Sequence, residues 1–481
     1  MTEEKSRTHR WMTAAALSAL IAACAATPTA PAETPAPPPE PASPTPSAKP
    51  ASVEETASTS EAPPQQAPSG YVPGDPAGDP DAAALSGPTG PFTPTSHTEM
   101  NSWREDFAAR ARSQGRNPAV VYALLEGITP LPLYLSEDED VAQTGVEDQA
   151  EFAKAIWEYL RTAVTDARFE TGREKLRELS SVFTTLERVY GVDREVIAAI
   201  WAMETNYGSY IGDFDAANTL ANMAVEGRRR SFAEGQLIAL MKIVENGYAS
   251  RAQLGSGWAG AMGHTQFMPT TYLAYAQDYD GDGKASVWEY APDALASAAN
   301  YLSESGYRLD EPWGTEVLAP NNFDWSYADG NDRRLSTWKS LGLSPIRGGG
   351  FEVDDAAYAE LWLPAGARGP KYLLFRNFDV FKTYNRSNSY ALAVGLLADG
   401  LSGEYGPVAS WPRDVPRLTN EQVKTLQATL NELGYEAGPV DGIVGSGTRG
   451  ALQAFQKANG MMADGYVSKP ALDAVLAKAR S

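Results

Sequence analysis

The sequence predicts a mainly α protein with a small β component, an α+β chain whose helical signal becomes dense from about Met100. Three observations carry that expectation. Apolar residues recur at three- and four-residue spacing through much of 152–244. Short alternating or clustered apolar segments joined by Gly and Pro turns are confined to the region beyond Gly306. A helical segment beginning at Leu426 is echoed at Leu452, which sets the residues after Pro412 apart as a small helical unit.

At the N-terminus Lys5, Arg7 and Arg10 precede an apolar run from Trp11 to Ala23, followed at once by Pro- and Ala-rich sequence. This is the order of a secretory signal, and the run is too short to span a bilayer. The single cysteine, Cys24, has no partner for an internal disulfide. Ile21-Ala22-Ala23-Cys24 resembles the lipobox of bacterial lipoproteins, which implies lipidation of Cys24, with ordinary cleavage at a nearby small-residue site as the alternative. Ala25 follows, with no Asp to signal inner-membrane retention. The expectation is a signal peptide over 1–24 and a periplasmic protein anchored to the outer membrane. Residues 25–97 are rich in Pro, Ala, Ser, Thr and Glu and bury too little apolar surface to fold, so they read as a disordered tether.

The net charge of −21 and pI near 4.7 argue against a nucleic-acid partner. His9, His97 and His264 are scattered along the chain, which disfavours a His-rich zinc site or a Ser-His-Asp triad.

The body is expected over 98–411. Ile156, Trp157 and Leu160, with Phe152 before them, form one helical stripe; Leu176, Leu179, Phe183, Leu186 and Tyr190 form a second, stopped by Gly191. A central helix follows, with Asp193 suited to its N-cap and Gly208 to its left-handed end. Val196, Ile197, Ile200 and Trp201 make its apolar face, and the next position on that stripe is Glu204. Burial disfavours a charged carboxylate, and a protonated carboxyl in a partly apolar site is what a general acid needs. On periodicity alone a structural Glu near a helix end is the plainer reading. Helices follow around 216–225 and 232–244.

Gly255-Ser-Gly-Trp-Ala-Gly-Ala-Met-Gly-His-Thr-Gln-Phe-Met-Pro269 places glycines beside Trp258, Gln266 and Phe267, as if backbone approaches a ligand. A mobile loop would read the same way. Pro269 suits the first turn of another helix. In the loop 278–289, Asp278, Asp280 and Asp282 occupy positions 1, 3 and 5 of an EF-hand pattern. Gly283 stands at 6, the Lys284 carbonyl at 7, Ser286 at 9 and Glu289 at 12. A structural Ca2+ is expected there, a metal-free Asp-Gly turn being the alternative. Gly314–Leu318, Glu360–Leu363 and Tyr372–Phe375 read as strands, and Ala391–Leu401 as a last helix of the body.

Glu204-Thr-Asn-Tyr-Gly208, Gly227-Arg228-Arg229, Trp258-Ala-Gly-Ala-Met-Gly263 with Gln266-Phe-Met-Pro269, the calcium loop, Ala298-Ala-Asn-Tyr-Leu302, and Tyr384-Asn385 with Tyr390 together resemble the membrane-bound lytic murein transglycosylase B family. The likeness covers most of Met100–Gly403. It implies a lysozyme-like helical domain that cleaves peptidoglycan between N-acetylmuramic acid and N-acetylglucosamine. Glu204 would be the single catalytic carboxylate, first protonating the leaving oxygen and then taking the proton of the muramoyl 6-hydroxyl to give a 1,6-anhydro end. Gln266, Tyr384, Asn385 and Tyr390 would contact substrate, with core packing as the alternative for Tyr384. No cofactor is implied for the chemistry. Gly257 stands where the family commonly has a serine, so a hydroxyl contact is lost or passed to Ser256. Thr270 replaces a usual serine.

The tail 412–481 resembles a three-helix peptidoglycan-binding domain, with Asp441-Gly442 and Asp464-Gly465 following the two repeat copies. Tethered to the body, it would raise local substrate concentration. Expected partners are peptidoglycan strands, a lipid membrane through the anchor, and other wall enzymes. Two other functions fit less well: a water-using muramidase with Asp213 or Asp215 as second carboxylate, and a non-catalytic wall-binding lipoprotein.

Overall fold

The computed structural model describes residues 86–135, 155–404, 406–415 and 418–481. The expected signal segment, Cys24, most of the tether and Phe152 lie outside the described residues. The tether as expected over 25–97 runs too far. Phe92 is buried and stacks on Tyr122 at a centroid distance of 5.4 Å. Arg104 Nη2 donates to Thr93 O at 2.7 Å, and Thr93 N donates to Glu126 Oε2 at 3.0 Å. One aromatic ring and a few main-chain partners are enough to dock this Pro- and Thr-rich stretch.

The helices of the body gather around two apolar cores. Ile156–Ala163, Asp166–Glu178, Ser180–Tyr190, Arg194–Thr205 and Asn388–Ser402 build the first. Thr98–Ser113, Pro118–Leu125, Ala216–Glu226, Arg230–Glu245 and Pro269–Tyr275 build the second. Ala291–Glu304 joins them, giving Leu295, Ala299 and Leu302 to one and Ala294 to the other.

The stripe expected as one helix over 176–190 is two helices meeting at Leu179, whose φ of −104° and ψ of 29° serve as the end of one and the start of the next. Hydrogen bonds continue across the bend, Leu179 N to Lys175 O at 2.9 Å and Phe183 N to Leu179 O at 3.0 Å. The bend is where the apolar face turns inward: Leu176 and Leu179 are half-buried, whereas Phe183 and Leu186 are fully buried.

Among the described residues, the region beyond Gly306 holds a five-stranded antiparallel sheet in the order Arg333–Arg334, Tyr358–Trp362, Tyr372–Leu374, Gly314–Leu318, Ser344–Pro345. Leu373 faces both Leu361 and Thr315 in register. Gly314–Leu318 falls where expected, whereas Tyr358–Trp362 begins two residues before the expected Glu360 and Tyr372–Leu374 stops one short of Phe375. The two-residue strands are too short to carry a pattern. Trp338 fills the inner face of the sheet and donates from Nε1 to Ala359 O at 2.8 Å.

Helix Asn388–Ser402 carries an unusual acid. Asp399 accepts from Trp313 Nε1 at 3.0 Å, and burial pushes its pKa from 3.8 up to about 7. A carboxyl whose folded pKa lies above its unfolded value binds more protons when folded. Its contribution to stability therefore falls as pH rises from about 4 to about 7. Asp399→Asn keeps an oxygen for Trp313 and is expected to raise the melting temperature above pH 7 and to flatten the decline between those limits. Thermal melts of both proteins across that range check this.

The C-terminal unit is three helices, Asn420–Glu432, Ser446–Ala458 and Lys469–Ala479, around Leu426, Leu452, Phe455 and Val475. It is hydrogen-bonded to the body. Gln453 Nε2 donates to Trp325 O and Ala328 O, both at 3.2 Å, and Asp464 Oδ2 accepts from Ala367 N at 3.0 Å. The two repeats are related differently from their sequence echo. Gln427 pairs in role with Gln456, one turn beyond the Gln453 that the Leu-Gln-Ala match suggests. Gln453 instead faces the body.

Candidate active site

Helix Arg194–Thr205 begins after Asp193, but the Asp193 side chain does not cap it. Its Oδ2 accepts instead from Tyr307 Oη at 2.5 Å, and burial raises its pKa. The other end also departs from expectation. The helix stops at Thr205, and Asn206, Tyr207 and Gly208 follow with φ of 50°, 60° and 78°.

Left-handed backbone costs a non-glycine residue about 1 kcal/mol or more, so this turn must be held in place. Tyr207 Oη donates to Arg168 O at 2.9 Å. Thr205 Oγ1 accepts from Gly208 N at 3.0 Å and donates to His264 O at 2.7 Å. Trp201 Nε1 donates to His264 Nδ1 at 3.2 Å, and burial lowers the His264 pKa, which keeps the ring a neutral acceptor. A Cβ on Gly208 would lie 2.2 Å from His264 Nδ1, so the position needs glycine for space as well as for φ.

Glu204 sits on this fixed last turn, 7% exposed. Its Oε1 accepts from Tyr390 Oη at 2.5 Å. Tyr390 is fully buried, and burial followed by the nearby Glu204 charge holds its pKa well above the ordinary phenol value, so it remains a donor. Burial and Glu204 act the same way on Tyr384. The Tyr384 ring packs against Phe267 and Tyr301 at 6.1 and 5.2 Å and touches both helical cores. Its hydroxyl has no hydrogen-bond partner among the described residues. Glu204 and the two tyrosines thus lie at the seam between the cores.

Gln266 is held at φ 51°, with Nε2 donating to Gly263 O at 2.9 Å and to Ile211 O at 3.3 Å. Its Oε1 is the end left to accept. A Cβ on Gly257 would lie 2.9 Å from that oxygen, so glycine at 257 gives Gln266 its room. Ser256 does not take over a lost hydroxyl contact. It is buried, with Oγ 3.0 Å from Gly257 O and 3.3 Å from Phe214 O as its acceptors. Asn385 is buried and its Oδ1 accepts from Ser387 N at 2.9 Å. Ser387 in turn caps the helix that presents Tyr390. Thr270 keeps a polar job on its helix, exchanging bonds of 3.0 and 3.1 Å with Gln236.

The loop 278–289 brings Asp278, Asp280 and Asp282 together, their ligand oxygens within 4.8 Å of one another. Main-chain N–H groups of Gly281 and Gly283 orient Asp278, and those of Asp282 and Lys284 orient Asp280 and Asp282. Three converging carboxylates with oxygen-only donors fit a hard cation such as Ca2+. Glu289 is not in that cluster; its Oε2 accepts from Gln253 Nε2 at 3.3 Å. Asp293, buried on the following helix, closes the loop by accepting from Tyr279 N at 2.8 Å and Ser286 N at 2.7 Å. The sequence reading missed Asp293, along with the roles of Trp201, Thr205 and His264. A polar residue on an apolar helix face was the available signal for Asp293; the others offered none.

A cavity of about 680 Å³ lies by the sheet, lined by Arg308, Glu360 and Arg376 among others. Glu204, Gln266, Tyr384 and Tyr390 do not line it, so it is separate from the seam.

A mainly helical body that holds Glu204 buried against Tyr390 at the seam between two cores fits a lysozyme-like class of enzyme. The chain belongs to the transglycosylase SLT domain family, whose model matches residues 99–399. Residues 419–474 match a putative peptidoglycan binding domain. The chain is 27% identical over 273 residues to the membrane-bound lytic murein transglycosylase B of Escherichia coli strain K12, covering 55% of this chain and 72% of that protein. It is also similar to SltB3 of Pseudomonas aeruginosa in two crystal structures. The complex with NAG-anhNAM-pentapeptide has 38% identity and a TM-score of 0.74; the complex with NAG-NAM-pentapeptide has 39% and 0.73. Each match covers 79% of this chain and 100% of the other.

Proposed function

We propose that this transglycosylase cleaves the bond between N-acetylmuramic acid and N-acetylglucosamine in peptidoglycan with Glu204 as its only acid and base. The observation that carries this reading is the Tyr390–Glu204 pair. Because Tyr390 donates to Oε1, the proton of the neutral acid resides on Oε2, from which it passes to the leaving glycosidic oxygen. The carboxylate left behind keeps the Tyr390 hydrogen bond, which is stronger to an anion than to a neutral acid. It then takes the proton of the muramoyl 6-hydroxyl as that oxygen attacks the anomeric carbon, closing the 1,6-anhydro ring. Gln266 Oε1 is the group available to orient sugar, whereas the Tyr384 hydroxyl, unpaired among the described residues, is buried. The SltB3 complex with NAG-anhNAM-pentapeptide supports the anhydro product.

The alternative with a second carboxylate is less favoured. Asp215 caps helix Ala216–Glu226 through Asn218 N at 2.7 Å and pairs with Arg251 at 3.1 Å. Asp213 is exposed and hydrogen-bonded to Tyr210. Mass spectrometry of digested wall decides between them: anhydro ends mark the transglycosylase, and reducing ends would overturn it. Tyr390→Phe is expected to lower kcat about 10- to 100-fold with little change in KM, one charge-assisted hydrogen bond being lost in a buried site.

The same reading extends to the rest of the chain. Cys24 carries the lipid that holds the protein to the outer membrane on its periplasmic side. Support for this is the lipobox-like Ile21–Cys24 and the similarity to the membrane-bound Escherichia coli transglycosylase. Loss of radiolabelled palmitate incorporation in Cys24→Ala checks it. Ca2+ in the 278–289 loop is structural, and the shared loop bonds support that role: His264 N donates to Val287 O at 2.8 Å and Trp288 Nε1 to Gly255 O at 3.1 Å, tying the loop to the glycine-rich strap.

A further inference from the structure

The two repeats of the C-terminal unit are built alike, yet only one of them is covered. In the first, Gln427 Oε1 accepts from Gly442 N at 2.9 Å, and its Nε2 donates to Asp441 Oδ1 at 2.9 Å. In the second, Gln456 Oε1 accepts from Gly465 N at 2.8 Å, and its Nε2 donates to Asp464 Oδ1 at 3.2 Å. Each Asp also accepts from the N–H two residues on, Ile443 at 2.8 Å and Tyr466 at 3.1 Å. Each turn then delivers the next helix at the same interval, with Gly445 and Ser468 as the N-caps.

The copies diverge at the outward oxygen. Asp464 Oδ2 accepts from Ala367 N at 3.0 Å, a main-chain amide of the Ala365-Gly366-Ala367 loop of the body. That loop is seated so closely that a Cβ on Gly366 would lie 2.8 Å from Asp464 Oδ2 and 2.9 Å from Tyr466. Only a main chain of small residues fits there. Asp441 Oδ2 accepts from none of the described residues. Beside it, Val440 and Ile443 are 49% and 69% exposed, whereas their counterparts Ala463 and Tyr466 are buried and half-buried.

We propose that the Val440–Ile443 edge of the first repeat binds an extended peptide, the stem peptide of peptidoglycan, through its alanine residues. Asp441 Oδ2 accepts a main-chain N–H of that peptide, as Asp464 Oδ2 does from Ala367, and Val440 and Ile443 cover its methyl groups. The second repeat is occupied by the chain's own Ala-Gly-Ala loop, so the first is the copy that faces the wall. Hydrogen bonds from Ile443 N and Gln427 hold the Asp441 pKa below the usual range, which keeps the acceptor ionised. The proposal rests on reading the chain as a peptidoglycan enzyme. It adds that the C-terminal unit reads the peptide, not the sugar.

The test uses the full chain carrying Glu204→Gln, so that ligand is not consumed. It is titrated with NAG-NAM-pentapeptide, with NAG-NAM lacking the peptide, and with the free pentapeptide, while the Ile443 methyl resonance is followed. The two peptide-containing ligands are expected to shift that resonance and the peptide-free sugar to leave it in place. Asp441→Asn keeps an inward oxygen for Gln427 and Ile443 N but turns a donor outward, and is expected to weaken peptide binding at this edge about tenfold or more. Ile443→Glu, at an exposed position, should do the same without disturbing the fold. The proposal is overturned if peptide-free NAG-NAM shifts Ile443 as strongly as the pentapeptide form, or if Asp441→Asn binds the peptide as wild type does. Failure here leaves the chemistry standing as long as the wild type still releases anhydro ends; loss of those ends fails the functional reading whatever this edge binds.

Discussion

Glu204→Gln is expected to lower the release of 1,6-anhydro products by about 10²- to 10⁴-fold, the range that a positioned general acid and base supplies. The substitution is nearly isosteric, and its carbonyl oxygen can still accept from Tyr390 Oη, so the last turn of the helix keeps its partner. What disappears is the transferable proton. Activity and stability should therefore separate: turnover collapses while the melting temperature holds or rises, since a buried ionisable group has been replaced by a neutral one. KM for glycan should change little, because Gln266 remains. A Gln variant that clears wall at the wild-type rate would remove Glu204 from the chemistry and return the non-catalytic reading to contention.

Glu204 was legible because it breaks a rule. A carboxyl on the next step of the stripe Val196, Ile197, Ile200, Trp201 is a local inconsistency, and such inconsistencies gather at functional sites. Its immediate supports were not legible. Thr205 and Trp201 reach His264, 59 and 63 residues away, and no local pattern encodes a bond across that distance. Gly208 had a visible reason to be glycine, a left-handed φ past the helix end, and the structure gives it φ 78°; what helix-ending logic could not show is the second reason, the close approach of His264. The helix already ends at Thr205, and a three-residue left-handed turn follows, made affordable only by tertiary partners.

The strands show the same division. Gly314–Leu318 is legible to the residue because five positions carry a pattern, whereas Arg333–Arg334 exists only because Tyr358–Trp362 lies beside it. In the tail, the Leu-Gln-Ala echo marks a true repeat but pairs the wrong glutamines. Sequence similarity there follows the helix face, while the structural equivalence follows the Asp-Gly turn that each glutamine binds.

Calcium is expected to raise the melting temperature of the body by roughly 4 °C at a concentration about a hundredfold above Kd. Ligand linkage at that ratio contributes about 2.7 kcal/mol, and a body spanning 98–411, with an unfolding entropy of about 2.1 cal/mol/K per residue, shifts by about 1.5 °C per kcal/mol. The physical basis is the convergence of Asp278, Asp280 and Asp282. Without a cation, three carboxylates at that separation repel one another, and the Asp280 pKa is raised by burial and then by its two neighbours. Asp278→Ala also removes the acceptor for Gly281 N and Gly283 N, so the variant loses stability even in chelator. The decisive quantity is therefore the difference between melts with calcium and with chelator, which should fall to near zero in Asp278→Ala. Glu289→Ala probes a separate point, because Glu289 bonds Gln253 instead of joining the acidic cluster. If Glu289 swings in to complete the cage, its loss shrinks the calcium response. An undiminished response would assign the site to the three aspartates and the Lys284 carbonyl alone. Wild-type melts that coincide with and without calcium would sink the cation site altogether, leaving Asp293 and the loop's own amide bonds as what holds 278–289 against the glycine-rich strap.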